Sequence, residues 1–456
     1  MMPLRQPAPR QYAFEAPLAF LIACLGVLLT WWLFYPGIAT HDSIVVYDQS
    51  YAGNFGDWQP PLLGWMWTHL EPFVGYGPRA LFLPTSVIFW ASLFTMFLAL
   101  RRSSRWPAWF MLAIGFLPPL LALLGVIWRD VIFAACWLLA FALVFVVVEA
   151  PRFWRLLAFA VAFVFFMIGF LIRPNALFAA APILVYLISP RTFSWKRQIL
   201  FGLPLIVALQ VVSSLVNYGW LEARRESAIH SVLVFDLTGI THFADKNVFP
   251  IDDWTPEQVE KVKTICYEPT YWDAIWWPRC SFAMARINRD IPKGSKLFGS
   301  DTLRQAWQRA IIANPIPYVQ HRLNYFNALM TAKMLVIFNQ SQSGQHRFFF
   351  LKDKSFKTFE SGIEWLNENT PLFRGWPWLL LSVLSFVAAL FWSNGPSKAA
   401  TLALTLSSII YTATYVVFGV AAEYRYVYWT VLASLVAAGM VAAQWAADRR
   451  QPVQSL

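Results

Sequence analysis

An aspartate that directly follows a long apolar segment is placed to accept a proton at a membrane surface. This chain has one: His41-Asp42-Ser43 comes just after the exit marked by Tyr35-Pro36-Gly37. A carboxylate held there can act as general base toward a hydroxyl. The plainer alternative is that Asp42 caps a short interfacial helix, which its Asp-Ser context allows. Four further polar groups interrupt apolar stretches: Asp57-Trp58-Gln59-Pro60-Pro61-Leu62, Trp128-Arg129-Asp130, Arg173-Pro174-Asn175 and Glu423-Tyr424-Arg425-Tyr426. Ionisable groups between apolar helices are costly unless they are paired or face a polar cavity. Arg129 with Asp130, and Glu423 with Arg425, neutralise one another in one reading; arginines snorkelling at helix ends are another. A row of arginines beside carboxylates also fits a phosphate-bearing substrate, because the guanidinium fork matches phosphate oxygens. His321-Arg322, at the start of an amphipathic stretch, is a candidate addition to that site. In Trp58-Gln59-Pro60-Pro61-Leu62 the two prolines prevent regular helix, so the preceding Asp57 is held on a defined turn.

The elements that must position these residues are helices in a bilayer. The chain has 456 residues, of which 58% are hydrophobic, 17% aromatic and 13% charged. Its mean hydropathy is +0.49, a membrane composition. About ten charge-free segments are long enough, or nearly so, to cross a hydrocarbon core of about 30 Å. They run near 17–35, 80–100, 106–128, 131–148, 156–172, 176–189, 199–219, 375–392, 399–422 and 427–447, the sixth being short. Pro118-Pro119 interrupts the third. The first reads as a retained helix, longer than a signal-peptide core.

One set of connections carries Arg5, Arg10, Arg101, Arg102, Arg105, Arg152, Arg155, Arg191, Lys196, Arg197, Lys398, Arg449 and Arg450, with few acids. The positive-inside bias puts this set, and both termini, in the cytoplasm. The five polar groups then emerge together on the opposite face. The net charge of +11 is largely this bias. It does not argue for nucleic acid as a partner, and no RNA- or DNA-binding motif is present.

Three parts follow: a helical core over 1–219 containing the outer loop 36–79, an extracytoplasmic domain over 220–374, and terminal helices over 375–456. The middle part regains charge and turn residues. Helices are expected at 301–314 and 317–338, the second with Tyr318, Leu323, Phe326 and Leu329 along one face. Its aromatic residues (Trp272, Trp276, Trp277, Tyr318, Tyr325) suit either a membrane interface or packing among themselves. Cys24 and Cys136 lie in apolar segments as core residues. Cys266 and Cys280 fall where oxidation is permitted and are expected to form a disulfide. No histidine pair accompanies them at zinc-ligand spacing, and Asp252-Asp253 reads as a solvated loop.

A long first outer loop with an aspartate just after helix one, followed by a Trp-His-Pro-Pro-Leu-like element, resembles the GT-C superfamily of polytopic glycosyltransferases. Bacterial protein mannosyltransferases and the lipid A aminoarabinose transferase are the most similar branches. The resemblance covers roughly 17–220 and the last three helices. It departs at Gln59, which stands where the common element has His, and at His41, where many relatives carry an acid.

The resemblance implies a GT-C-like all-α bundle of about ten transmembrane helices in a bacterial inner membrane, with a periplasmic active site. It implies an inverting transfer of a sugar from a polyprenyl-phosphate donor to a lipid, glycan or protein acceptor. Asp42 would be the base, with Asp57 as orienter or substitute. Arg129, Arg173 and Arg425 would bind the lipid phosphate, and His41, Gln59, Asp130, Asn175, His321, Arg322 and Glu423 would complete the substrate site. Some members use a divalent metal, but no ligand cluster stands out here. A glycan polymerase or ligase shares the outward site and the lipid-linked donor. The competing class is a transporter or flippase, for which Pro118-Pro119 is the main support.

Overall fold

The structure is a computed structural model that describes residues 14–287, 297–333, 335, 348, 350 and 352–449, apart from the side chain of Met284. Every regular element among the described residues is a helix, and extended segments meet only in isolated bridges. Helix is what apolar sequence must form in hydrocarbon, where each backbone N–H and C=O needs a partner within its own segment.

In chain order, α1 (Glu15–Phe34) leads to two short helices, α2 (His41–Tyr51) and α3 (Pro61–Val74), before α4 (Arg79–Leu100). Next come α5 (Arg105–Ala113), α6 (Pro118–Leu124), α7 (Arg129–Val146), α8 (Arg152–Ile172), α9 (Leu177–Ile188) and α10 (Trp195–Ser214). The middle part holds α11 (His230–Ala244), α12 (Pro256–Thr264), α13 (Ser281–Ile287), α14 (Asp301–Ala313), α15 (Pro315–Thr331) and α16 (Lys354–Asn369). The chain returns to apolar helices with α17 (Trp376–Leu390), α18 (Pro396–Phe418) and α19 (Tyr428–Asp448).

Among the described residues, seven helices are long and apolar enough to cross a membrane, or eight if α5 and α6 are one span bent by 48°. The bend falls at Pro118-Pro119, where the missing amide hydrogens and the ring clash end one helix and start another. The sixth and eighth expected segments are shorter apolar helices, Pro174–Ile188 and Trp376–Leu390. Within its crossing window α7 is 83% buried and α10 only 17%, so α7 lies at the bundle centre and α10 on its outer face. Hydroxyls join the last helices: Thr412 and Thr430 lie 2.6 Å apart, Trp429 Nε1 donates to Ser407 Oγ at 3.2 Å, and Ser407 Oγ donates to the Ala179 carbonyl at 2.8 Å. In lipid such bonds are worth about 0.6 kcal/mol each. Gly26 and Gly115 admit Trp90 between α1 and the broken rod, since a Cβ at either would lie 2.5 Å from its ring.

The middle part has an apolar core of its own, running from Val232 and Leu237 through Phe249 and Trp254 to Leu303 and Ala310. The Cys266–Cys280 disulfide is formed. α14 falls where it was expected. α15 ends at Thr331, and most of the remaining expected stretch to 338 lies outside the described residues. The expected face of α15 is shown in part: Leu329 is buried and Tyr318 and Phe326 pack partly buried, but Leu323 is exposed, and His321, Arg322, Tyr325 and Met330 are buried as well. Apolar periodicity did not foresee the burial of His321 and Arg322, which this helix packs inward against the buried Asp236.

Candidate functional site

The first outer loop is stitched to the segment before α7. Ile38 N–H donates to Gly125 O at 2.9 Å and Ile127 N–H to Ile38 O at 2.9 Å. Ser43 Oγ donates to Ile127 O at 2.6 Å, and Trp128 Nε1 to Thr40 Oγ1 at 3.0 Å. These bonds bring Asp42 and Arg129 together from positions 87 apart in sequence. Thr40, not Asp42, occupies the N-cap of α2; its N–H donates to Ser43 Oγ at 3.2 Å. The Asp42 carboxylate is therefore free of capping duty. Thr40→Ala removes both the cap and the buried acceptor of Trp128. It is expected to cost about 1–2 kcal/mol, read as a lowered thermal midpoint of the purified protein.

Asp42 Oδ2 accepts Arg425 Nη1 at 2.7 Å, and Oδ1 accepts Gln59 Nε2 at a looser 3.4 Å. Burial pushes this carboxyl up, but Arg425 and Arg129 outweigh it and hold its pKa below the ordinary aspartate value. Arg425 lies between two carboxylates, with Nε 2.6 Å from Glu423 Oε2, and its guanidinium stacks 4.6 Å over the Trp128 ring. At Glu423 burial wins: Arg425 lowers its pKa, Asp42 and Asp130 raise it, and the net shift is upward.

The three arginines, alike in sequence, divide by environment. Arg173 Nη2 pairs with Asp130 Oδ1 at 2.8 Å, each side chain 1% exposed. Arg173 also donates to Tyr411 and Tyr415 at 3.3 and 2.6 Å. The reading in which Arg129 and Asp130 neutralise one another gives way to an Asp130–Arg173 pair, and neither of these two residues lines the cavity that Arg129 and Arg425 share. Arg425 is shared by Asp42 and Glu423. Arg129 donates to the Trp58 carbonyl at 3.4 Å, and among the described residues no carboxylate lies within 4.0 Å of it.

These groups surround a cavity of about 870 Å³. Its polar lining includes His41, Asp42, Asp57, Gln59, Arg129, Asn175, Asn217, Ser231, Glu423 and Arg425, and its apolar lining includes Leu177, Phe178, Ile229, Val232, Phe418 and Val420. A wall made of Tyr271, Trp272, Asp273 and Trp277 comes from the segment bracketed by the disulfide. This segment is tied to the approach to Glu423 by Trp272 N–H to Val420 O and Ala422 N–H to Thr270 O, both 2.8 Å. The sequence marked Trp272 and Trp277 only as interfacial or core, and did not single out Tyr271.

Asp57 lines the cavity with both oxygens engaged: Oδ2 accepts Tyr218 at 2.8 Å and Oδ1 accepts Glu226 N–H at 2.7 Å. It clamps the outer loop to the start of the middle part. His321 and Arg322 lie elsewhere, correcting their placement at the site. Buried Asp236 faces His321 at 3.3 Å and Arg322 at 2.6 Å and accepts Trp307 Nε1 at 2.7 Å. Arg322 also donates to the Gly419 carbonyl at 2.7 Å, so this knot steadies the loop before Glu423 from behind. Gly239 makes room for it, since a Cβ there would lie 2.2 Å from the His321 ring. Among the described residues, no three His, Cys, Asp or Glu side chains gather as donors for a metal ion.

The helices and this cavity define an all-helical, multi-pass membrane protein with a charged site at one end of its bundle. In comparison with known proteins, the chain matches no family model, no curated protein and no solved structure.

Proposed function

We propose that this chain is a GT-C-like glycosyltransferase of a bacterial inner membrane, moving a sugar from a polyprenyl-phosphate donor to an envelope acceptor on the periplasmic face. The observation that carries the reading is one cavity lined by Asp42, whose pKa is held low, by Arg129, which among the described residues has no carboxylate within 4.0 Å, and by apolar residues of α9 and α18. A lipid-linked sugar has those three parts: a reacting carbon, a phosphate and a tail. An acceptor hydroxyl attacks the sugar's anomeric carbon and passes its proton to Asp42 Oδ1, the less engaged oxygen. The bond from that carbon to the phosphate oxygen breaks, and its electron pair leaves with the lipid phosphate, where Arg129 offsets the charge.

Counting the bent α5–α6 pair, Pro174–Ile188 and Trp376–Leu390 as spans makes ten crossings, with both termini cytoplasmic and the middle part periplasmic. Contacts at the far end of the bundle support this: Glu15 pairs with Arg105, and Arg102 Nη1 donates to Val146 O at 3.0 Å, so the arginine-rich turns share one end. That end is remote from the cavity. The donor set does not resemble a metal site, so no step is assigned to a metal.

Mass spectrometry of envelope lipids and glycans tests the reading in a deletion strain, with and without the native chain. A sugar-sized mass that disappears on deletion and returns with the chain supports transfer. Arg129→Ala is expected to lower transfer by about 10²–10³-fold through loss of charge stabilisation, with native expression. Unchanged glycans in the deletion sink the transferase. They favour the second reading, a lipid or glycan flippase, for which the 48° break between α5 and α6 is the supporting observation.

A further inference from the structure

Asp42 stands on a wall shared by two cavities of unlike chemistry. The smaller holds about 200 Å³ and shares His41, Asp42, Trp58 and Gln59 with the larger one. Its remaining wall includes Gln49, Glu226, Trp276 and Phe298. The rings are set at angles to one another: Trp58 and Phe298 are 6.2 Å apart and tilted by 36°, and Trp276 and Phe298 are 6.3 Å apart and tilted by 68°. The polar groups are held in place. Glu226 accepts Trp58 N–H at 3.3 Å, and Gly56 leaves the space its carboxylate fills, since a Cβ there would lie 2.4 Å from Glu226 Cδ. Gln49 Oε1 accepts Gly56 N–H at 3.2 Å, which aims its side chain. Among the described residues, the buried Trp276 Nε1 finds no acceptor.

Aromatic faces with a few fixed donors and acceptors suit a ligand that is apolar on its ring faces and hydroxylated at its rim. A phosphate is disfavoured by Glu226 and Asp42, and a lipid tail by the same two carboxylates together with Gln49 and Gln59. A peptide adding as a strand would need an exposed strand edge, and among the described residues no strand is present. We propose that the smaller cavity receives one sugar ring of a saccharide and presents its hydroxyl to Asp42. That the saccharide is the acceptor rests on the transferase reading; that it binds here does not.

The full chain in lipid nanodiscs is examined by saturation-transfer NMR with four probes: the methyl glycosides of glucose, galactose and N-acetylglucosamine, and an Ala-Ser-Ala tripeptide. At least one glycoside is expected to show transfer to its ring C–H protons. Its affinity is expected to fall about tenfold in Trp276→Ala, the loss of one aromatic contact, and to weaken in the shape-preserving Glu226→Gln. The proposal is overturned if no glycoside binds, if binding survives both variants, or if the tripeptide alone binds. Glycoside binding without any change in envelope glycans on deletion leaves the saccharide site standing and removes the transferase. The reverse result removes only this inference.

Discussion

Replacing Asp42 with asparagine stops product formation without unfolding the protein. General-base catalysis contributes roughly 10²–10⁴-fold, so the sugar-bearing mass should fall below detection in envelope spectra while the variant accumulates at native levels. Structure is spared for two reasons. Thr40 keeps the N-cap of α2, and the asparagine oxygen still accepts Arg425, which retains Glu423 as its charged partner. The pH profile carries a second expectation. Because Arg425 and Arg129 hold the Asp42 pKa down, the base stays ionised until pH falls below the ordinary aspartate value. A loss of rate that sets in, as pH falls, above the ordinary aspartate value points to protonation of Glu423, whose pKa is raised, and Glu423→Gln is expected to remove that acid-side step. Full recovery of the product by Asp42→Asn excludes Asp42 as base. Asp57 is a poor substitute, with both oxygens bound to Tyr218 and the Glu226 amide.

Much of this arrangement is legible from order along the chain. Hydropathy locates the long helices because a span must satisfy its own backbone, whatever its neighbours do. The threading that puts Asp42, Asp57, Arg129, Asn175 and Arg425 at one level needs only the alternation of spans, and these residues do line one cavity. Cys266 and Cys280 are readable for a similar reason, being the pair outside the apolar segments. Partner choice is not readable. Asp130 follows Arg129 directly, yet its carboxylate meets Arg173 from the turn between α8 and α9, because adjacent helical residues point in different directions. His321-Arg322 has the look of a substrate site but serves Asp236, which lies 85 and 86 positions earlier. Trp58 and Trp276 become one wall only through the meeting of the outer loop with the middle part, and their spacing carries no sign of that.

Asp130→Asn tests whether the pair beneath the site is as dry as its geometry implies. Asp130 and Arg173 are each 1% exposed in their side chains, and the Arg173 guanidinium also lies 5.3 Å from the centre of the Tyr426 ring. Removing one charge strands the other away from water, which costs roughly 3–5 kcal/mol. The expected result is a sharp fall in folded yield and thermal midpoint, larger than for Thr40→Ala. Replacing both charges by apolar groups of similar volume, Asp130→Leu with Arg173→Met, has no stranded ion to bear. The double variant should recover much of the lost stability, as buried pairs often do. Its activity then separates two roles that the sequence cannot. If Arg173 only supports Tyr426 and the Glu423–Arg425 loop, the recovered protein retains measurable transfer. If the double variant is folded but inactive while Arg129→Ala is active, phosphate recognition belongs to Arg173, and the cavity must reach deeper than Arg129. An Asp130→Asn protein as stable as the native chain would mean that water enters this layer, and the buried-pair argument fails there.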